Sequence, residues 1–333
     1  MSSTTESSSK LVLYGVPLSQ PFRSVVWTLL IKHVPFTIQV TVPGIDATNK
    51  ASSRNENFTK LSNGRTNLIP ILRIVDEEKD SSFTIIESPA ILTYICEKYC
   101  TNPSSPGGGD SDNIVARNLL LPPPATKEKS MVDSYMHWHH TNTRRCLTRL
   151  TAPTLLPHLL GLSSISENHM NAAKSTLQSL NDSWLGDNAN VSGGGDVSGS
   201  SSSSSPLYVA GTDTPTIADI LAYEEIMQVK YIVSQDILDD IQLSSSSSSY
   251  TNVWNWMERM KQTLPYHEQV HKGLHVFHEL SNDNNTGNGN DDNNNGALPL
   301  NKRLAIANKA ALQAINEAQQ TYQDSSSMPS SKL

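Results

Sequence analysis

Cysteine is scarce in this chain, with three (Cys96, Cys100 and Cys146) in 333 residues. Three thiols cannot build a disulfide framework, so a reducing compartment is the natural setting. Long apolar runs are missing too. No stretch approaches the roughly 18 apolar residues of a membrane span, and none is expected. Met1 to Ser9 is Ser/Thr-rich with one Glu and no apolar segment, so no secretory leader is expected either. Positive charge is the minority sign: 25 Lys and Arg stand against 32 Asp and Glu, a formal charge of −7. Residues 11–99 are close to charge balance and carry no basic stripe that would track nucleic acid. Apolar residues reach only 37% and aromatics 6%.

That apolar shortfall is concentrated in polar blocks at 1–9, 101–113, 187–205, 244–249, 281–297 and 324–333. Ser200 to Ser205 and Ser244 to Ser249 are homopolymer runs, and Asn282 to Asn295 is almost wholly Asn, Asp and Gly. Such segments bury too little apolar area to offset ordering entropy and read as loop insertions. Without them about 260 residues remain, enough for two ordinary domains.

The foldable part changes character once. Leu11 to Tyr14 is a strand candidate. Pro21 then opens a helical period in which Phe22, Val25, Val26, Leu29 and Leu30 share a face. Thr37 to Val42 is β-branched and reads as a second strand, and Asn55 to Leu61 as a short helix. Ile71 to Val75 and Phe83 to Ile86 flank a charged turn and form a hairpin. Ser88–Pro89 starts another helix that runs to about Tyr99. This order predicts a mixed four-stranded sheet. From Lys127 the pattern is helical, over Met131–Leu150, Ser166–Leu185, Thr216–Tyr231, Asn252–Thr263 and Tyr266–Leu280. Thr216 and Asp219 have the spacing of a capping box. Expected boundaries are an α/β domain over 10–100, a disordered linker over 101–127 and an all-helical domain over 128–280. A low-complexity segment, a short helix at 301–319 and a tail fill 281–333.

Four segments in register carry a family likeness. They are Leu13 to Arg23 (LYGVPLSQPFR), Glu87 to Leu92 (ESPAIL), Tyr135 to Arg145 (YMHWHHTNTRR), and Leu207 to Gly211 leading into Thr216-Ile217-Ala218-Asp219. Together they resemble the cytosolic-type glutathione transferases, closest to the theta class. The resemblance implies a thioredoxin-like N-terminal domain, an all-α C-terminal domain and a homodimer. It also implies glutathione as co-substrate, with no other cofactor. A non-catalytic binding or assembly module on the same fold is the alternative.

The residues themselves supply a chemical argument. A free thiol has a pKa near 8.5, so activating it means favouring the anion. Ser19 lies just before the helix that Pro21 opens, beside unpaired N–H groups and the positive end of the dipole. A hydroxyl donated from there to a thiolate lowers its pKa. The resemblance implies this role for Ser19; as a bare sequence feature it also fits a helix cap. Tyr14 is the competing hydroxyl. Ile69–Pro70, with Leu68 before it, matches the family's cis-proline segment, which implies pairing with the cysteinyl backbone of glutathione. Glu87 and Ser88, at a helix start, suit the γ-glutamyl end. Leu68 departs from the family's frequent Lys or Gln, and Lys50, Arg54 and Arg65 are alternatives for the glycyl carboxylate. His137, His140 and Arg144 would share one stripe of a helix. The resemblance assigns Arg144 to stabilising the thiolate. Val16, Leu18, His137 and His140 are expected to line a pocket for a hydrophobic electrophile or a hydroperoxide.

Other signals are weaker. His267, His271, His275 and His278 have metal-capable spacing but read as a partly exposed stripe, and no metal is expected. Ser331-Lys332-Leu333 is the tripeptide read by the peroxisomal import receptor, so a peroxisomal location is expected, with a cytosolic share as well.

Overall fold

The computed structural model describes residues 9–44, 46–99, 120–156, 164–186, 207–244, 249–282 and 298–327. The expected insertion at 187–205, residues 245–248 of the one at 244–249, residues 283–297 of the segment expected at 281–297, most of the linker, Cys100 and Ser331-Lys332-Leu333 lie outside them, while Ser281 and Asn282 end a helix. The chain groups into two compact units, Met1–Ile95 together with Glu268–Leu333, and Cys96–His267. The span 128–280 expected for the helical domain thus gives residues 268–280 to the first unit.

In the first unit, β1 (Lys10–Gly15), β2 (Thr37–Val40), β3 (Ile71–Asp76) and β4 (Ser81–Ile86) form one sheet of order β2-β1-β3-β4. β1 pairs in parallel with β2 and antiparallel with β3, which pairs antiparallel with β4. This is the expected mixed sheet. β2 ends at Val40 rather than Val42, because the chain turns away and Val42 makes only an isolated bridge with Ser52. Alternation places Leu11, Leu13, Leu72 and Ile74 on one face, all buried. Helix α1 (Gln20–Ile31) crosses between β1 and β2, and all of its residues are buried. Short α2 (Glu56–Leu61) is capped by Asn55 accepting from Asn57 N–H. It lays Phe58 against Ile69, Ile71, Tyr14 and Ile86 on the other face. Helix α3 (Ser88–Lys98) follows β4.

The helical unit is built on α4 (Lys127–Thr141), α5 (Thr143–Leu155), α6 (Glu167–Ser179, continued by a π turn over Leu180–Trp184), α7 (Ile217–Ile232), α8 (Gln235–Asp240) and α9 (Thr251–Thr263). The single helix expected over 131–150 is two. Asn142 breaks it at φ −115° and ψ −86°. Its side chain donates to Trp138 O (2.9 Å), an alternative that a short polar side chain offers the backbone. The expected linker also holds structure at its end: Leu120 is fully buried, its carbonyl accepts from Ile217 N–H (2.8 Å), and Thr126 caps α4. α7 is the core of this unit. Its Asp219 is fully buried and accepts from Val209 N–H (2.8 Å), Thr216 N–H (2.8 Å), Thr216 Oγ1 (2.8 Å) and Trp256 Nε1 (2.9 Å). The Thr216–Asp219 capping box is therefore also the anchor of the preceding loop and of α9.

Two further helices are α10 (His267–Asn282) and α11 (Leu300–Ser327). The short helix expected at 301–319 is longer at both ends and belongs to the core. Ala307, Ala311, Ile315, Ala318 and Tyr322 form a buried stripe at helical spacing. Small residues allow close approach: a Cβ on Gly273 of α10 would lie 2.9 Å from Ala311 Cβ and 3.0 Å from Ala307 O. The histidine stripe is partly exposed, as expected, at His275 and His278, and buried at its start. His267 and His271 are buried, His267 Nε2 meets Tyr223 OH at 2.7 Å, and His271 packs edge-on against Trp27. No group of three metal-capable side chains occurs among the described residues. No described helix is long and apolar enough to cross a membrane.

Candidate functional site

Ser19 occupies the N-cap position of α1, half-buried, at φ −82° and ψ 122°. Its side chain makes no capping bond. The hydroxyl thus sits at the positive end of a helix without being consumed by that helix. The loop that carries it is held from three sides. Ser19 N–H donates to Val16 O (3.0 Å), and its carbonyl accepts from Arg23 N–H (3.0 Å). Arg23, 1% exposed, donates Nη1 to Leu18 O (2.9 Å) and to Pro17 O (3.4 Å). Leu18 N–H donates to Asn308 Oδ1 of α11 (3.3 Å). Gly15 permits the turn into this loop: its φ of +156° suits glycine, and a Cβ there would collide with the Phe22 ring.

The other glutathione-directed candidates lie in the same unit. Ile69–Pro70 is a cis peptide, as the sequence segment suggested. Ile69 is buried, while Leu68 is 61% exposed. Glu87 is exposed and stands at the start of α3 with φ +68°, a strained conformation for a non-glycine residue. Ser88 beside it is buried, and Glu87 O accepts from Ile91 N–H. Tyr14 is half-buried and turned to the α2 face, where its ring meets Phe58 edge-on at 6.4 Å. It serves packing there.

The residues expected to line the electrophile pocket are divided between the units, Val16 and Leu18 in the first and His137 and His140 in the second. Val16 joins the Phe58–Ile69–Ile71 cluster, and Leu18 is buried, in van der Waals reach of where a Gly273 Cβ would stand. His137 and His140 are exposed, and the break at Asn142 removes the continuous stripe that would have joined them to Arg144. The buried histidine of this run is His139. Arg144 is about one-third exposed, and its Nη1 donates to Glu225 Oε1 (3.0 Å), a carboxylate 2% exposed on α7. His139 Nε2 lies 3.6 Å from the same oxygen. That contact is no ion pair at neutral pH, because burial, with the Arg144 charge nearby, pulls the His139 pKa down to about 3.

Arg23, Asn308, Glu225 and His139 were not singled out from sequence. Arg23 left a trace: a charged residue on a helix buried all round needs fixed partners. Asn308 and Glu225 left none, being one polar residue among several on their helices.

A four-stranded mixed sheet with a cis-proline before β3, an N-terminal serine at α1 and a separate all-α unit is the architecture of a glutathione transferase. Residues 13–103 match the family model described as the glutathione S-transferase N-terminal domain. The chain is 24% identical over 272 residues to glutathione S-transferase T1 of Arabidopsis thaliana, covering 80% of this chain and 89% of that protein. It is 29% identical over 188 residues to glutathione S-transferase theta-1 of Homo sapiens, covering 55% of this chain and 66% of that one. The solved human glutathione transferase theta-2, in complex with glutathione and an unknown ligand, superposes with a TM-score of 0.56 at 19% identity. That superposition covers 92% of this chain and 99% of the other. The chain is thus similar in sequence to theta-class glutathione transferases and shares their fold.

Proposed function

We propose that the protein is a glutathione transferase in which Ser19 stabilises the glutathione thiolate. The observation that carries this reading is the Ser19 hydroxyl at the N-terminus of α1, left out of helix capping. Donation of that O–H to sulfur, beside the helix dipole, favours the anion over the thiol. The γ-glutamyl end would meet Glu87 and Ser88, where the strained backbone of Glu87 fits a residue held for binding. Ile69 would pair with the cysteinyl backbone, and Lys50, Arg54 and Arg65 are the candidates for the glycyl carboxylate. The resemblance implies Arg144 as a further cation for the thiolate, and within its own unit Glu225 fixes the guanidinium.

The thiolate then attacks an electrophilic carbon, forming the C–S bond as the leaving group departs with the electron pair. With an organic hydroperoxide it attacks the outer oxygen, and the alkoxide released takes a proton. A second glutathione converts the sulfenic acid to disulfide and water. The protein is expected to act as a homodimer. The test is glutathione conjugation to a chlorinated nitroaromatic and reduction of cumene hydroperoxide. Both rates should fall about 10²-fold or more in Ser19→Ala, the scale of losing one oriented donor, with the circular dichroism spectrum unchanged. Wild-type rates at the uncatalysed background, with no heat on glutathione titration, would refute the reading.

A further inference from the structure

The sheet face opposite α1 is only partly covered. The six residues of α2 reach across Tyr14, Ile71 and Ile86 and stop. Beyond them lies a cleft of about 760 Å³ within the first unit, a volume in the range of small-molecule sites. Four cationic side chains line it: Lys50 from the loop after β2, Lys60 from α2, Arg65 from the loop after α2, and Arg73 from the middle of β3. No aspartate or glutamate lines it, in a chain whose net charge is −7. Lys60 is ion-paired with Glu56 (2.6 Å), an exposed carboxylate outside the lining for which a bound anion would compete, which leaves Lys50, Arg65 and Arg73 as the main cations. Arg73 is oriented by its Nη2 bond to Ser82 Oγ (3.1 Å). Hydroxyls of Ser52 and Thr84 line it as well, Thr41 Oγ1 being used to donate to Gln39 O (3.2 Å), and the lining includes the rings of Tyr14 and the exposed Phe83.

A cluster of cations with no carboxylate among them holds its charge against self-repulsion, and a bound polyanion relieves that. Several spaced cations with hydroxyls in the same lining match a phosphorylated group better than a single carboxylate. The aromatic rings of the lining offer a flat ring a face or edge. We infer that this cleft is a second ligand site, for a phosphorylated small molecule that carries a planar ring, of nucleotide type. Ser19, Ile69, Pro70, Glu87 and Ser88 do not line it, whereas Lys50 and Arg65, two of the three candidates for the glycyl carboxylate, do. Because Lys50 and Arg65 would serve both ligands, occupancy of one site would be felt at the other through shared charge.

The experiment is calorimetric titration of the full chain with ADP, and with inorganic pyrophosphate and adenosine in parallel. The expected result is ADP binding tighter than either fragment, weakened at least tenfold between 0.05 and 0.5 M salt, roughly as two or more ionic contacts require. Arg73→Gln should weaken ADP at least tenfold and leave glutathione conjugation within twofold. Lys60→Glu, on an exposed helix position, should repeat that pattern if Arg73→Gln folds poorly. Saturating glutathione should leave ADP bound. No ADP heat at millimolar concentration, pyrophosphate binding as tightly as ADP, indifference to both substitutions, or stoichiometric displacement by glutathione would each overturn the assignment. ADP binding in a protein that shows no glutathione turnover would leave this site standing and remove only the catalytic reading.

Discussion

Ser19 and Tyr14 are five residues apart and both carry hydroxyls, yet their surroundings give them different work. Tyr14 is locked into an apolar cluster, whereas Ser19 is placed by backbone bonds and keeps its side chain out of them. Tyr14→Phe is therefore expected to retain conjugation activity within about threefold, in contrast to the loss in Ser19→Ala; paired steady-state assays decide between the two hydroxyls. His139 offers a separate residue-scale prediction. Its pKa is near 3 in the fold against an ordinary value near 6.5, so it stays neutral where the unfolded chain takes up a proton. Above pH 6.5 both states are neutral and it contributes no pH dependence. As pH falls from about 6.5 toward 3 the unfolded state gains the proton, and stability drops by up to about 1.4 kcal/mol per pH unit from this group. Urea midpoints measured at pH 7 and pH 5 should show that decline, and His139→Gln should flatten it. Ser19, Glu87, Ser88 and the cis-proline were legible in the sequence because each sits at a helix start or an X–Pro bond, where residue type and backbone geometry are linked. His139 and Glu225 were not, since a buried ionisable group looks the same in sequence as a solvated one.

At the scale of elements, the sequence pattern located strands and helices well but could not show where a polar run interrupts a helix. Thr141-Asn142-Thr143 reads as a solvated stretch of one long helix, and only the backbone angles of Asn142 reveal two. Arg144 therefore starts a new helix and points where Glu225 holds it. Arg144→Ala would remove a charged donor from that carboxylate, 2% exposed, and should cost about 2 kcal/mol, the scale of a hydrogen bond between charged groups. Thermal unfolding of Arg144→Ala against Arg144→Ala/Glu225→Gln measures it, with the double variant recovering part of the loss. The α10–α11 pair was illegible for a different reason. Alanines carry little hydropathy, so the buried stripe of α11 resembles an exposed helix of high propensity. Its packing depends on Gly273. Gly273→Ala would gain up to about 1 kcal/mol of helix propensity but drive a methyl into Ala311 Cβ and Ala307 O. A net loss of about 1 kcal/mol or more is expected, read in urea unfolding and in faster amide exchange along α11.

On the scale of the whole molecule, the low apolar content was traced correctly to polar segments, and what remained was assigned to the right two kinds of fold. The cation-lined cleft was beyond sequence reading because its residues come from four strands, one short helix and two loops, none of them basic by itself. The grouping of α11 with the N-terminal residues was equally hidden. It matters for more than packing. Asn308 caps Leu18 N–H, Gln319 Oε1 accepts from Phe36 N–H (3.2 Å), and Tyr322 stacks on His33 at 4.9 Å. The half of the molecule that begins the chain is finished by residues some 200 positions later. On a ribosome adding 5–20 residues per second, roughly 10–40 s separate Ile95 from Leu300. Throughout that interval the nascent α1 surface lacks its cover and the Ser19 loop lacks one of its anchors. The half that carries Ser19 is thus the first to be made and the last to be completed, and a stalled or nicked chain would present it open to chaperones and proteases.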